Sequence, residues 1–280
     1  MVGAPRSGTK MLRDLLRLHP CNTGGSYEVE RVWCHGNHSR FGMTLSPSDL
    51  TPASRNYIRS YFYKASARRH GKRLVDKNVH NSMRIAYIHA IFPNSPIIHI
   101  VRDGRDVVCS LREIWQSTVD YSYIIKTRSF PIREIPFFVK RQLKWKLEKV
   151  LTGKKHVKWW GPKFDDMEEL INSLTLIEIC SIQWKRCTEA AYKGLAMLKP
   201  ECSIQVKYED VVMKPAETME MIYDFLKLQI TDHLRNRISE YVNAASVGRW
   251  QRALSLDDVE LIMPNIYRTL LDLGYVKQES

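Results

Sequence analysis

Pro96–Val101 places the tightest constraint on what this 280-residue chain can fold into. Ile97, Ile98, Ile100 and Val101 leave His99 as the one polar side chain in the run. A strand without apolar–polar alternation has no face to give to water, so it belongs inside a parallel sheet covered by helices on both sides. The neighbouring segments agree. Short strands are predicted at Met1–Ala4, Arg73–Lys77 and Ser203–Lys207. Helices are predicted from Gly8 to Leu18, ended by His19-Pro20, and from Pro52 to Arg69, closed by Gly71. Further helices are expected near His80–Ile91, from about Asp103, and over Asp166–Met197, Pro215–Leu226, Asp232–Tyr241 and Asp257–Leu273. Strands alternating with helices predict an α/β fold, a parallel β-sheet flanked by helices. With no repeat and no Pro-, Gly- or Ser-rich linker, residues 1–280 are read as one domain with a basic helical insertion at about 122–163.

Composition removes several classes of function. No apolar run approaches the roughly 18 residues that a membrane helix needs, and no secretory signal is visible, so the expected location is the cytoplasm. The first strand has only Met1 and Val2 ahead of Gly3, shorter than a typical strand of five or six residues. Cys21, Cys34, Cys109, Cys180, Cys187 and Cys202 form no C-x-x-C pair and are read as reduced. The formal charge is +13, and the segment from Ser122 to Lys163 holds 12 Lys or Arg against Glu134 and Glu148. Such an excess suits polyanionic partners.

Between the first strand and first helix lies Gly3-Ala4-Pro5-Arg6-Ser7-Gly8. Backbone N–H groups and the helix dipole make that junction an anion site. The spacing matches the start of the nucleotide-triphosphate loop, but Thr9 stands where that motif requires lysine, with Lys10 one place late. A kinase reading is weakened accordingly, and a plain glycine turn entering a helix is the bland alternative. Arg102 follows the Pro96–Val101 strand and so reaches the carboxyl edge of the sheet, where open α/β folds bind ligands. Its planar guanidinium can grip a phosphate through two parallel hydrogen bonds.

Pro5-Arg6-Ser7-Gly8-Thr9 resembles the P-[RK]-S-G-T loop of sulfotransferases that use 3′-phosphoadenosine 5′-phosphosulfate. The likeness continues in order through Asp76-Lys77, Phe92-Pro93-Asn94, Ile100-Val101-Arg102-Asp103-Gly104-Arg105-Asp106 and Ser110. It extends to Lys207-Tyr208-Glu209-Asp210 with Pro215, Phe225-Leu226, Val247-Gly248-Arg249-Trp250 and Leu273-Gly274-Tyr275. The resemblance implies that the loop cradles the 5′-phosphosulfate of the donor. It implies too that Arg102 and Ser110 hold the 3′-phosphate, with Tyr208 nearby and Arg249 and the Ser246–Trp250 loop closing over it. Arg6 and Lys77 would stabilise charge on the leaving phosphate. An obligatory metal is not expected. Lys10 departs from the family loop, which usually has a second threonine or serine there. In similar sulfotransferases a glutamate soon after an H-P dipeptide takes the acceptor's proton, and here both Glu28 and Glu30 follow His19-Pro20.

The acceptor is expected to be a small-molecule hydroxyl or amine; the alternative that the resemblance implies is a Golgi-lumenal carbohydrate or tyrosylprotein sulfotransferase without its membrane anchor. If both carboxylates of Glu28-x-Glu30 face the cleft, they favour an amine-bearing or cationic compound. From Pro136 to Leu151, Val139, Leu143, Leu147 and Leu151 recur every four residues beside Lys140, Arg141, Lys144 and Lys149. The pattern is that of an amphipathic helix with a cationic side. It is either a core-packed helix with a solvated face or a surface for an acidic glycan or a membrane. Trp145, Trp159 and Trp160 offer stacking faces for a sugar. Nucleic acid is not expected, since no binding motif is present.

Overall fold

The computed structural model of the chain describes residues 1–24, 28–116 and 160–278. In chain order its first elements are α1 (Thr9–Leu16), β1 (Asn22–Thr23), α2 (Glu30–Trp33), α3 (Pro52–Ala67), β2 (Arg73–Leu74), α4 (Ile85–Ile91), β3 (Ile97–Val101) and α5 (Gly104–Gln116). After the insertion come α6 (Met167–Ser173), α7 (Leu176–Leu195), β4 (Ser203–Lys207), α8 (Tyr208–Met213), α9 (Pro215–Phe225), α10 (Asp232–Tyr241), α11 (Trp250–Ala253) and α12 (Leu256–Asp272).

All five residues of β3 are buried, as a strand without alternation requires. It pairs in parallel with β4, from Ile97 opposite Ser203 to Val101 opposite Lys207. On its other side the chain start runs parallel to it: Val2 N donates to the Ile98 carbonyl at 2.9 Å, and Ile100 N donates to the Val2 carbonyl at 3.0 Å. A second parallel pair, β1 with β2, joins this core where Met1 N donates to the Asp76 carbonyl at 2.9 Å. Helices cover both faces. Ile98 and Ile100 pack with Leu12, Leu15 and Leu16 of α1 and Ile222 and Tyr223 of α9. Ile97 and Val2 pack with Ile85 of α4 and Ala191 of α7. The expected α/β architecture is therefore present, and the period of two along β3 sorts its side chains between the two layers.

The chain divides into two units, Met1–Arg112 with Gly161–Ser280, and Glu113–Trp160. Most of the second unit lies outside the described residues, including the basic helix expected at Pro136–Leu151 with Trp145, and Trp159. Among the described residues no helix is long and apolar enough to cross a membrane.

Several elements differ from expectation for local reasons. The helix expected over Asp166–Met197 is split into α6 and α7, because Thr175 caps α7: its hydroxyl accepts from Glu178 N, and the Glu178 carboxylate accepts from Thr175 N at 2.9 Å. That reciprocal pair satisfies two orphan amides and fixes a helix start there. The helix expected near His80–Ile91 is regular only from Ile85. The Asn78 side chain caps His80 N at 3.0 Å and opens a 3₁₀ turn over Val79–Met83 instead. The strand expected at Met1–Ala4 reduces to a single bridge between Val2 and His99.

Candidate active site

Parallel strands deliver everything that follows their last residues to one edge of a sheet. Here Gly3–Gly8 follows Val2, Glu28 follows β1, Lys77 follows β2, Arg102 follows β3 and Tyr208 follows β4. The residues singled out from the sequence, scattered over more than two hundred positions, thus converge on the carboxyl edge.

The glycine loop is shaped by close approaches. A Cβ at Gly3 would lie 2.6 Å from the Ile100 carbonyl oxygen, and one at Gly8 would lie 2.4 Å from the Tyr208 ring. Gly8 also has φ 88°, which a residue with a side chain rarely adopts, and it forms the N-cap of α1. Tyr208 is thereby seen as the wall against which the loop packs, with its hydroxyl 2.6 Å from Ser246 Oγ. Pro5, Ser7 and Thr9 are buried, whereas Lys10 is exposed. Ser7 Oγ is buried and has no hydrogen-bond partner. A buried hydroxyl left unpaired costs free energy comparable to a lost hydrogen bond, so its presence at a helix N-terminus marks a place prepared for an acceptor.

Arg102 closes the other side of the loop. One guanidinium nitrogen donates to the Arg6 carbonyl at 3.3 Å and another to the Ser246 carbonyl at 2.5 Å, with the group stacked 4.2 Å from the centroid of the Tyr208 ring. Its Nε is buried without a partner. Asp106 lies 3.5 Å away and balances only part of the charge. Arg6, with φ 69°, turns its side chain to donate from Nε to Ser110 Oγ at 2.8 Å. Burial and the positive fields of Arg102 and Arg249 lower its affinity for its proton. Arg6 is thus joined to Ser110 and, through its carbonyl, to Arg102.

Asp106, quoted in the motif but given no role, organises the closing loop. Its two carboxylate oxygens accept from Gly248 N at 2.9 Å and from Trp250 N at 2.8 Å. Val247, Gly248 and Arg249 are thereby held beside Arg102, while the Trp250 ring is covered by the Arg105 guanidinium at 4.0 Å from its centroid. Arg105 itself pairs with Asp103 at 2.7 Å. The signal was in the sequence: Asp106 sits four residues beyond Arg102 on the first turn of α5, the spacing that puts two side chains on one face.

Lys77 and Glu28 contact each other directly, Nζ to Oε1, both half-buried. Glu30 has a different fate. Arg84, fully buried, grips it with two nitrogens, one of them 3.1 Å from Oε1. The same carboxylate accepts from Gly42 N at 3.1 Å and Asn78 Nδ2 at 2.7 Å, and the Cys34 thiol donates to it. Burial would raise the Glu30 carboxyl, but the fields of Arg84 and His80 overcome that and hold it at about 2. The two carboxylates do not face one cleft together, so the premise for a cationic acceptor is not met.

A polyanion with phosphate-like ends fits this edge. Arg102 and Arg6 are linked through the Arg6 carbonyl, Arg6 reaches Ser110, and two buried polar atoms, Ser7 Oγ and Arg102 Nε, have no protein partner. Arg102, Arg6, Ser110 and the loop amides could hold such groups, and Lys77 adds a cation on the β2 side.

A family model described as "Sulfotransferase family" matches residues 1–130 and 158–232. A protein-tyrosine sulfotransferase of Drosophila melanogaster is 22% identical over 250 residues, 86% of this chain, which spans 40% of that relative's length. Protein-tyrosine sulfotransferase 1 of Danio rerio is 21% identical across 98% of this chain and 70% of its own length. Among solved structures, the sulfotransferase domain from the curacin biosynthetic pathway superposes with a TM-score of 0.54 at 15% identity and covers 95% of both chains.

Proposed function

The chain belongs to the sulfotransferase family, and on that premise we propose that it transfers a sulfuryl group from 3′-phosphoadenosine 5′-phosphosulfate to a hydroxyl acceptor. The observation that carries the reading is the basic pair at the carboxyl edge: Arg102 donates to the Arg6 carbonyl, Arg6 donates to Ser110, and Ser7 Oγ and Arg102 Nε are buried without a partner beside them. In this reading the donor brings the activated sulfuryl group, and the protein supplies grip, charge and a base. The N-terminus of α1, with Ser7, Gly8 and Thr9, holds the 5′ end, and Arg102, Arg6 and Ser110 hold the 3′-phosphate, with Arg249 above. Glu28 accepts the acceptor's proton as its oxygen bonds to sulfur, and Lys77 meets the charge left on the departing phosphate oxygen. Glu28 is preferred to Glu30 because it touches Lys77, while Glu30 is committed to Arg84.

A neutral hydroxyl suits a site with one available carboxylate better than a cationic amine does. The names of the two curated relatives favour a tyrosyl hydroxyl as a second reading beside a small-molecule alcohol. All six cysteines are free, which supports a reducing compartment such as the cytoplasm.

The test is Glu28→Gln. Turnover with labelled donor on a panel of tyrosyl peptides, sugars and small alcohols should fall by about 10² to 10⁴, while calorimetric affinity for 3′-phosphoadenosine 5′-phosphate stays unchanged. Glu30→Gln should retain turnover per folded molecule. If Glu28→Gln turns over normally and Glu30→Gln does not, the two roles are exchanged. If the bisphosphate fails to bind at all, the donor assignment goes.

A further inference from the structure

We propose that the outer face of α3 is a docking surface for an acidic polysaccharide chain. Residues 50–75 contain seven Lys or Arg and no Asp or Glu. Elsewhere many arginines are balanced: Arg13, Arg84, Arg105, Arg186 and Arg235 each pair with a carboxylate. Among the described residues, none of the seven cations on and just after α3 does so. Arg55, Lys64, Arg68 and Lys72 are exposed. An uncompensated positive field of this extent weakens the fold through self-repulsion and is relieved by a polyanion.

Two tyrosines set the kind of polyanion. Tyr57, Tyr61, Lys64 and Arg68 recur at intervals of four, three and four, so they form one stripe along the helix. Tyr57 is 45% and Tyr61 38% exposed, a large apolar outlay on a solvated helix face. Tyr57 is braced by a stacked His35 with ring centroids 3.6 Å apart. Aromatic faces take the C–H faces of sugar rings, and the cations take sulfate or carboxylate groups. An acidic peptide would bring carboxylates without the regularly repeated C–H ring faces of a sugar chain. Single strands of nucleic acid bring both, but proteins hold them in basic grooves, and α3 presents an outer helix face.

α3 leads into β2 through residues 68–72 and contacts it. From Tyr57 to Arg68 the rise is about 16 Å, the length of a short oligosaccharide. The surface stands apart from the donor and acceptor assignments, because its test reads binding alone.

The test uses a fluorescent heparin hexasaccharide, with anisotropy measured on the full chain at physiological ionic strength. Lys64→Glu/Arg68→Glu should weaken binding about tenfold or more, whereas Lys199→Glu/Lys214→Glu, an equal charge change elsewhere on the surface, should weaken it less than about twofold. Tyr61→Ser should weaken the hexasaccharide about threefold and leave tripolyphosphate binding unchanged. Bisphosphate affinity should be the same in every variant, which keeps this result separate from the donor site. Lys64→Gln/Arg68→Gln carries the same comparison if charge reversal unfolds the helix. Equal losses in the two charge-reversed pairs, no effect of Tyr61→Ser, or tighter binding of a single-stranded RNA of equal charge would each overturn the proposal.

Discussion

Replacing Arg84 by methionine isolates the buried support beneath the proposed site. Arg84 is fully buried and Glu30 8% exposed at the side chain, so the variant leaves a carboxylate in the core with its principal counter-charge removed. Breaking one partner of such a pair costs about 3–5 kcal/mol. For 280 residues the entropy of unfolding is about 0.6 kcal/mol per degree, so a loss of 4 kcal/mol lowers Tm by about 7 °C. The pH dependence gives the sharper signature. In the native chain the folded Glu30 carboxyl lies at about 2, below its ordinary 4.5, so the stabilisation is complete above the ordinary value and is lost as pH falls through the folded one. In Arg84→Met burial dominates and pushes the carboxyl above its ordinary 4.5, so protonation already relieves the variant at pH values where the native chain is still fully stabilised. The gap in stability between the two should be widest near neutrality, begin to close above pH 4.5 and go on closing as pH falls toward about 2. Calorimetry or urea unfolding monitored across that range provides the measurement. A gap that stays constant with pH, or one below about 1 kcal/mol at neutrality, would refute the argument that this ion pair frames the site.

Two further outcomes follow from the same geometry. Asp106→Ala frees Gly248 N and Trp250 N from their carboxylate, and calorimetry should show bisphosphate affinity falling about tenfold; since deleting a negative charge would by itself favour an anion, unchanged or tighter binding would show that the loop needs no such anchor. Under native conditions Ellman's reagent should modify exposed Cys21 and half-buried Cys202, but not Cys34, Cys109, Cys180 or Cys187, whose thiols burial pushes to about 12, 11, 12 and 12; fast reaction of the buried four would contradict the packing around α5 and α7.

What could be read from the sequence was whatever is encoded locally. β3 and β4 are found where an apolar run and an alternating run placed them, and α10 begins and ends at the expected residues. The two-residue strands β1 and β2 and the short helices α2, α8 and α11, of four to six residues, carry too few residues for a period to register. The fate of Glu28 and Glu30 shows the limit in chemical terms. Two residues apart and identical in type, they carry no local distinction, and the difference is made by Arg84, 54 positions beyond Glu30. Glu30 opens α2, whose packing with Trp33 and Val32 carries it into the core beside that arginine, whereas Glu28 precedes the helix and stays at the sheet edge within reach of Lys77. An E-x-E pair can therefore divide into one carboxylate that holds the frame and one that meets the acceptor, and the partner that decides between them is supplied by the tertiary fold. Lys77 and Arg84 come from the same stretch after β2, so a single segment of chain sorts both carboxylates: its first cation keeps Glu28 at the edge, and its second, seven residues on, draws Glu30 beneath it.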